Sequence, residues 1–332
     1  MKPKLYLGEA VGLLLKTTPI LWVRIGSYAA LGGGLLFYFA VVGGIAWLLG
    51  QLWGVLGLVV LLAGFGGAVG IVRWATRYYF YLLKAAHAAV MTEYIVHGQG
   101  PEGSQIRYGK QQVTDRFKDT SIMFAVDQVL DGVVKAFNRS FARFTRILPI
   151  PGMDGLRAFV ERVSKFATTY IDEAILTRAY KEREPNVWKV VEDGVVLYAQ
   201  CWKPILANAV VLTLLSYAEF FAFLVVLGLP ALAVGALIPA LKVALGIGVL
   251  VGAWMLKLAV ADAYALAATL LAYHRSTEGM TPDPEWKARL AQMSDAFREL
   301  AHKARSHVDR VRPRASDAAW GEGGAAPNPA EA

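Results

Sequence analysis

Pro204–Leu227 reads PILANAVVLTLLSYAEFFAFLVVL, 24 residues with a single charge, Glu219. A helix needs about 20 apolar residues to cross roughly 30 Å of hydrocarbon, so this stretch predicts a transmembrane helix. Lys242–Tyr273 is a second such run, charged within only at Lys257 and Asp262. The chargeless linker Gly228–Leu241 joins the two into a transmembrane hairpin. Pro19–Leu49 and Leu52–Arg73 present the same format earlier in the chain.

Composition agrees. The chain has 332 residues, 56% of them hydrophobic, with 32 glycines that suit close helix packing in lipid. Its net charge of +8 is read as loop lysine and arginine of a membrane protein, not as a nucleic-acid footprint. The linkers Gly50–Gln51 and Gly228–Leu241 carry no lysine or arginine, whereas both terminal segments and the middle of the chain are rich in them. The positive-inside rule then places both termini and the central segment in the cytoplasm of a multi-pass cell (inner) membrane protein. The first apolar run is too long for a signal-peptide core and no cleavage signal follows it, so it is expected to be retained. Cys201 is the single cysteine, which excludes an intrachain disulfide and any CxxC site.

The expected architecture is an all-α integral membrane protein. Four transmembrane helices form two pseudo-repeated hairpins over a cytoplasmic layer of amphipathic helices. Residues 1–98 hold an amphipathic helix, with Leu7, Val11 and Leu14 on its apolar face, followed by the first hairpin. Residues 99–203 form the layer. There Ile122, Val126, Val129, Val133, Phe137, Phe141, Phe144 and Leu148 make one stripe, Leu156, Phe159, Val163, Phe166, Tyr170 and Ala174 a second, and Trp188, Val191, Val195, Tyr198 and Trp202 a third. Pro149–Gly152 separates the first two. Residues 204–274 are the second hairpin, 275–312 a charged helix open to a cytoplasmic protein partner along 285–311, and 313–332 a disordered tail. The echo is one of order: Pro19-Ile-Leu before the first hairpin matches Pro204-Ile-Leu before the second, and Tyr94…His97 matches Tyr273-His274.

No motif carries catalysis: GxSxG, HExxH and Walker A sequences are absent. A non-enzyme without metal or cofactor is expected. Tyr170-Ile-Asp172-Glu173 is read as a solvated or salt-bridged acid pair. Ionisable groups inside apolar runs are the sharper candidates, since charge in hydrocarbon is costly and marks function. Glu219 lies deep in the third span, with Lys242 the nearest cation in depth. Lys257 and Asp262 lie lower; five residues apart on an α-helix they point away from each other, leaving Arg73 or Arg77 as available partners. Arg24, Arg73, Arg77, Trp22 and Trp74 sit at headgroup level as lipid anchors. Ala63/Gly67 and Gly66/Gly70 are spaced for close packing inside the first hairpin.

The function expected is a transporter- or channel-like protein moving an ion or small solute between its hairpins, as a homo-oligomer because four spans seldom enclose a pore. The alternative is a scaffold or lipid-binding protein acting through its amphipathic helices. Reporter fusions or cysteine labelling at Gln51, Ser104 and Ala318 check the topology: Ser104 and Ala318 inside, Gln51 outside. An external Ser104 overturns it.

Overall fold

The computed structural model describes residues 5–116, 125–136 apart from 127 and 134, 170–182 and 184–311. All regular structure among the described residues is helical. We label the helices α1 (Leu7–Lys16), α2 (Thr18–Leu52), α3 (Gly54–His97), α4 (Gln105–Arg116), α5 (Val187–Gln200), α6 (Trp202–Leu237), α7 (Pro239–Ser276), α8 (Pro284–Met293) and α9 (Asp295–Val311). Residues 170–182 are also helical.

Four of these, α2, α3, α6 and α7, are long and apolar enough to cross a membrane, at 35, 44, 36 and 38 residues. Each exceeds the roughly 20 residues that a crossing requires. The turns between them are shorter than the sequence suggests. α2 runs through Gly50–Gln51, and the chain reverses at Trp53, which is extended (φ −157°, ψ 114°). α6 likewise continues through most of Gly228–Leu241, including Pro230, and stops only at Ile238. In hydrocarbon an unpaired backbone group is expensive, so helix extends wherever sterics permit, and a proline is tolerated.

The molecule has two storeys. In one, the hairpin halves are sparsely buried and packed in pairs: α2 on α3, α6 on α7, and α2 along α7. Gly57, Gly64 and Ala68 are the buried positions of the apolar half of α3. A side chain on Gly64 would overlap Val42, and Tyr38 on α2 donates a hydrogen bond to the Gly64 carbonyl at 3.0 Å. Gly66 and Gly70 face away, with nothing near them. The small residues therefore divide between hairpin packing and the outer surface.

In the other storey the second helix of each hairpin continues into a dense core. Residues 87–92 of α3 and 265–274 of α7 are buried without interruption. Both stretches are rich in alanine, which lets neighbours approach from every side, and a helix apolar all round is a buried one. Around them pack α1, residues 170–182, α5 and α9, contributing Leu13, Ile171, Ile175, Val191, Val195 and Phe297. Gly98 closes α3 in the left-handed conformation (φ 73°), the usual glycine helix stop. α1 and α5 end on one residue each, Thr17 (φ −100°, ψ 21°) and Cys201 (φ −107°, ψ 20°), before α2 and α6 begin.

Several expectations change here. α1 packs on α7 through Ala10 and Leu13, while Val11 is exposed; Leu7 and Leu14 are only partly buried. The charged C-terminal segment is two helices, broken at Ser294, whose hydroxyl accepts from the Phe297 amide. The apolar face of α9 is occupied by its own chain: Phe297 and Leu300 are fully buried, and Asn186 donates to the Ala304 carbonyl at 2.6 Å. Of the long stripes, Val126, Val129, Val133, Tyr170, Ala174, Val191, Val195 and Tyr198 are buried. The Phe137–Leu148 and Leu156–Phe166 parts, the Pro149–Gly152 turn and the 313–332 tail lie outside the described residues.

Phe297→Ala removes a fully buried ring and is expected to destabilise by about 3–5 kcal/mol. Limited proteolysis checks it: cleavage should appear first near Ser294, where α9 would detach.

Candidate functional site

Where the two storeys meet, α3 and α7 each contain a π-helical turn, at Thr76–Phe80 and Lys257–Ala261. A π-turn bonds i to i+5 in place of i+4, and such turns recur at functional sites. Its local effect on α7 is direct. On a regular α-helix, residues five apart differ by about 140° in direction. Across this π-turn they lie nearly above one another, and Lys257 Nζ meets Asp262 Oδ1 at 2.5 Å. The expectation that these two point apart is thus corrected, because α-helical spacing does not hold there.

The other hairpin also reaches this turn. Arg24, on α2, donates from Nη2 to the Leu258 carbonyl at 3.1 Å. Arg24 is 3% exposed. Grouped from sequence with the headgroup anchors, it is turned inward between the hairpins. Beside it Tyr28 stacks on Phe80 with ring centroids 4.0 Å apart, joining α2 to the π-turn of α3.

Residues 170–182 close the junction from below. Tyr170 donates its hydroxyl to Asp262, and its pKa is raised well above the ordinary tyrosine value, by burial first and then by the Asp262 charge. The ring stays protonated and acts as a donor. Glu173 forms an ion pair with Lys84 of α3, whose ammonium stands 4.9 Å from the centre of the Tyr170 ring. Glu173, in the acid pair read as solvated or salt-bridged, is buried and paired. One polar layer thereby links α2, α3, residues 170–182 and α7.

Glu219 approaches this layer from α6. It is partly buried, and its charged neighbours are Asp262 and Lys257. Lys242, expected to be its nearest cation, is exposed at the far hairpin turn and lines a separate cavity with Gly228, Gly235 and Leu245. The reason is the length of α6, which carries Lys242 beyond Glu219's reach. Arg73 and Arg77 are exposed and make no ion pair among the described residues. Trp22 and Trp74 are 66% and 65% exposed on the outer faces of α2 and α3.

Next to the charged layer, and between the hairpins, lies a cavity of about 620 Å³ lined only by apolar side chains. Leu35, Leu36 and Phe39 come from α2, Phe220 from α6, and Ile247, Leu250, Val251, Trp254 and Met255 from α7. Trp254 is the link between the two, its ring 6.0 Å from Lys257 Nζ. Phe220 meets Trp254 edge to face.

Sequence reasoning singled out Glu219, Lys257 and Asp262, named Tyr170 and Glu173 without placing them at this junction, and missed Lys84 and the inward role of Arg24. Lys84 falls one turn beyond the aromatic run Tyr78-Tyr79-Phe80-Tyr81, which a reader attending only to apolar length passes over. No protein-family model, curated protein or solved structure matches this chain.

Lys257→Met or Asp262→Leu alone leaves a partly buried charge without its ion-pair partner and is expected to cost about 1–3 kcal/mol. The double substitution should recover most of that loss. Thermal unfolding of the two single variants and the double variant measures the coupling.

Proposed function

We propose that this is a non-enzymatic, transporter- or channel-like membrane protein that moves an ion or small solute between its two hairpins. The observation that carries the reading is the layer of ionisable side chains contributed by both hairpins where they meet, with Arg24 and Lys84 from the first, Lys257–Asp262 from the second and Glu219 at its edge. Charge removed from water inside apolar helices costs free energy, and such residues characteristically mark an ion or substrate path. The π-turns in α3 and α7 support it, since they are points where a helix can change register locally. In this reading both termini and the packed storey are cytoplasmic, by the distribution of lysine and arginine.

A duplication belongs to the same proposal. The Thr17 and Cys201 helix breaks, the π-turns at Thr76 and Lys257, and the helix ends at Gly98 and Thr277 occur in the same order in each half. Two parallel repeats related by an axis along the membrane normal would place the path between them. The sparse burial of all four apolar helices favours a homo-oligomer in a lipid surround.

The second reading is a scaffold or lipid-binding protein. The apolar cavity between the hairpins favours it, because an acyl chain suits that lining. The amphipathic helices first suggested for that role spend their described apolar faces on the core.

Glu219→Gln keeps shape and hydrogen bonding while removing the ionisable group. In reconstituted vesicles it is expected to change ion or solute flux, or its pH dependence, with little loss of stability. A folded variant with unaltered permeability to every ion and solute assayed shifts the assignment to the lipid-binding reading.

A further inference from the structure

We propose that Arg24 is the binding site for a small monovalent anion of about chloride size. The site is set by what the guanidinium lacks. Arginine is protonated at any relevant pH and presents five N–H donors. Arg24 is 3% exposed, and one acceptor meets it, the Leu258 carbonyl. Its Nε and Nη1 are buried with no hydrogen-bond partner. Among the described residues no carboxylate lies within ion-pair distance of it.

The surrounding charges are already committed. Lys84 holds Glu173, and Lys257 holds Asp262, which also accepts from Tyr170. The remaining carboxylate of the layer, Glu219, has Asp262 and Lys257 as its charged neighbours, so the Arg24 guanidinium has no carboxylate of its own among the described residues. A buried charge without a partner is among the most costly arrangements in a protein. A monovalent anion cancels it; a dianion would overshoot.

Nearby groups fit an anion of small size. His87, fully buried, is hydrogen-bonded through Nε2 with the Thr17 hydroxyl at 2.9 Å. Its Nδ1 is buried without a hydrogen-bond partner. Tyr28, one turn along α2 and electrostatically coupled to Arg24, offers a neutral hydroxyl. The near-complete burial of Arg24 favours a compact ion over a phosphate attached to a lipid, which needs an open route for its chains.

The inference stands apart from the conduction reading, since a site can hold an anion that never moves. Its test uses the full-length protein in nanodiscs, with sodium chloride replacing sodium gluconate at constant ionic strength. Raising chloride from about 1 to about 100 mM is expected to lift the unfolding temperature by on the order of 5 °C. Arg24→Gln should abolish that rise. Wild-type protein indifferent to chloride overturns the proposal, because water then satisfies the two donors. A rise that persists in Arg24→Gln also overturns it, by placing the ion elsewhere. Should Arg24→Gln fail to fold, anomalous diffraction from bromide-exchanged wild-type crystals decides: a peak within hydrogen-bond distance of Nε or Nη1 supports the site, and its absence removes it. A protein stabilised by chloride through Arg24 that conducts nothing keeps this site and loses the conduction reading.

Discussion

A charged side chain taken out of water must find its opposite or a hydrogen-bonding substitute, and the junction between the hairpins is built to satisfy that demand. Three cations, Arg24, Lys84 and Lys257, and two carboxylates, Glu173 and Asp262, converge there, with Glu219 at the margin. The backbone yields to the side chains. The π-turn in α7 gives up a regular helical register, and in return Lys257 and Asp262 meet; at the same turn the Leu258 carbonyl accepts from Arg24. That last bond is a polar tie from the first hairpin to the second. Tyr28 stacked on Phe80 is its apolar counterpart a turn away.

Either side of this layer the packing follows opposite rules. In the hairpin halves, large apolar residues such as Phe37, Leu62, Phe65 and Leu237 face outward, where lipid is their natural solvent. In the packed storey the same continuous helices bury alanines, and bulky side chains come inward from the surrounding elements: Ile171, Ile175, Leu197 and Phe297 are fully buried. The helix axis is shared and the environment inverts along it. The π-turns occur at the point of inversion.

The proposed path and the proposed anion site therefore lie within one layer but depend on different groups. Glu219 and Lys257 adjoin the apolar cavity through Phe220 and Trp254. Arg24 is enclosed behind them, facing α7 from α2. An anion beside Arg24 would weigh on Asp262, already one of its electrostatic neighbours, and through it on Lys257. The two proposals are thus physically adjacent while remaining separable by experiment.

Length and apolar content by themselves determined the four long helices, their pairing as hairpins and the buried stripes at Val126–Val133 and Val191–Tyr198, because these follow from the distance a helix must cover and the 3.6-residue repeat. Glu219, Lys257 and Asp262 were legible for a similar reason: a charge in an apolar run is conspicuous. Their partners were not. Pairing Lys257 with Asp262 requires a π-turn, and no residue pattern announces a register change that is stabilised by a hydrogen bond from Arg24 on another helix. The buried face of α1, Ala10 and Leu13, was set by its packing on α7. The inward turn of Arg24 was likewise decided by tertiary structure, since the carbonyl it meets lies 234 positions away in the chain and periodicity carries no information across that separation.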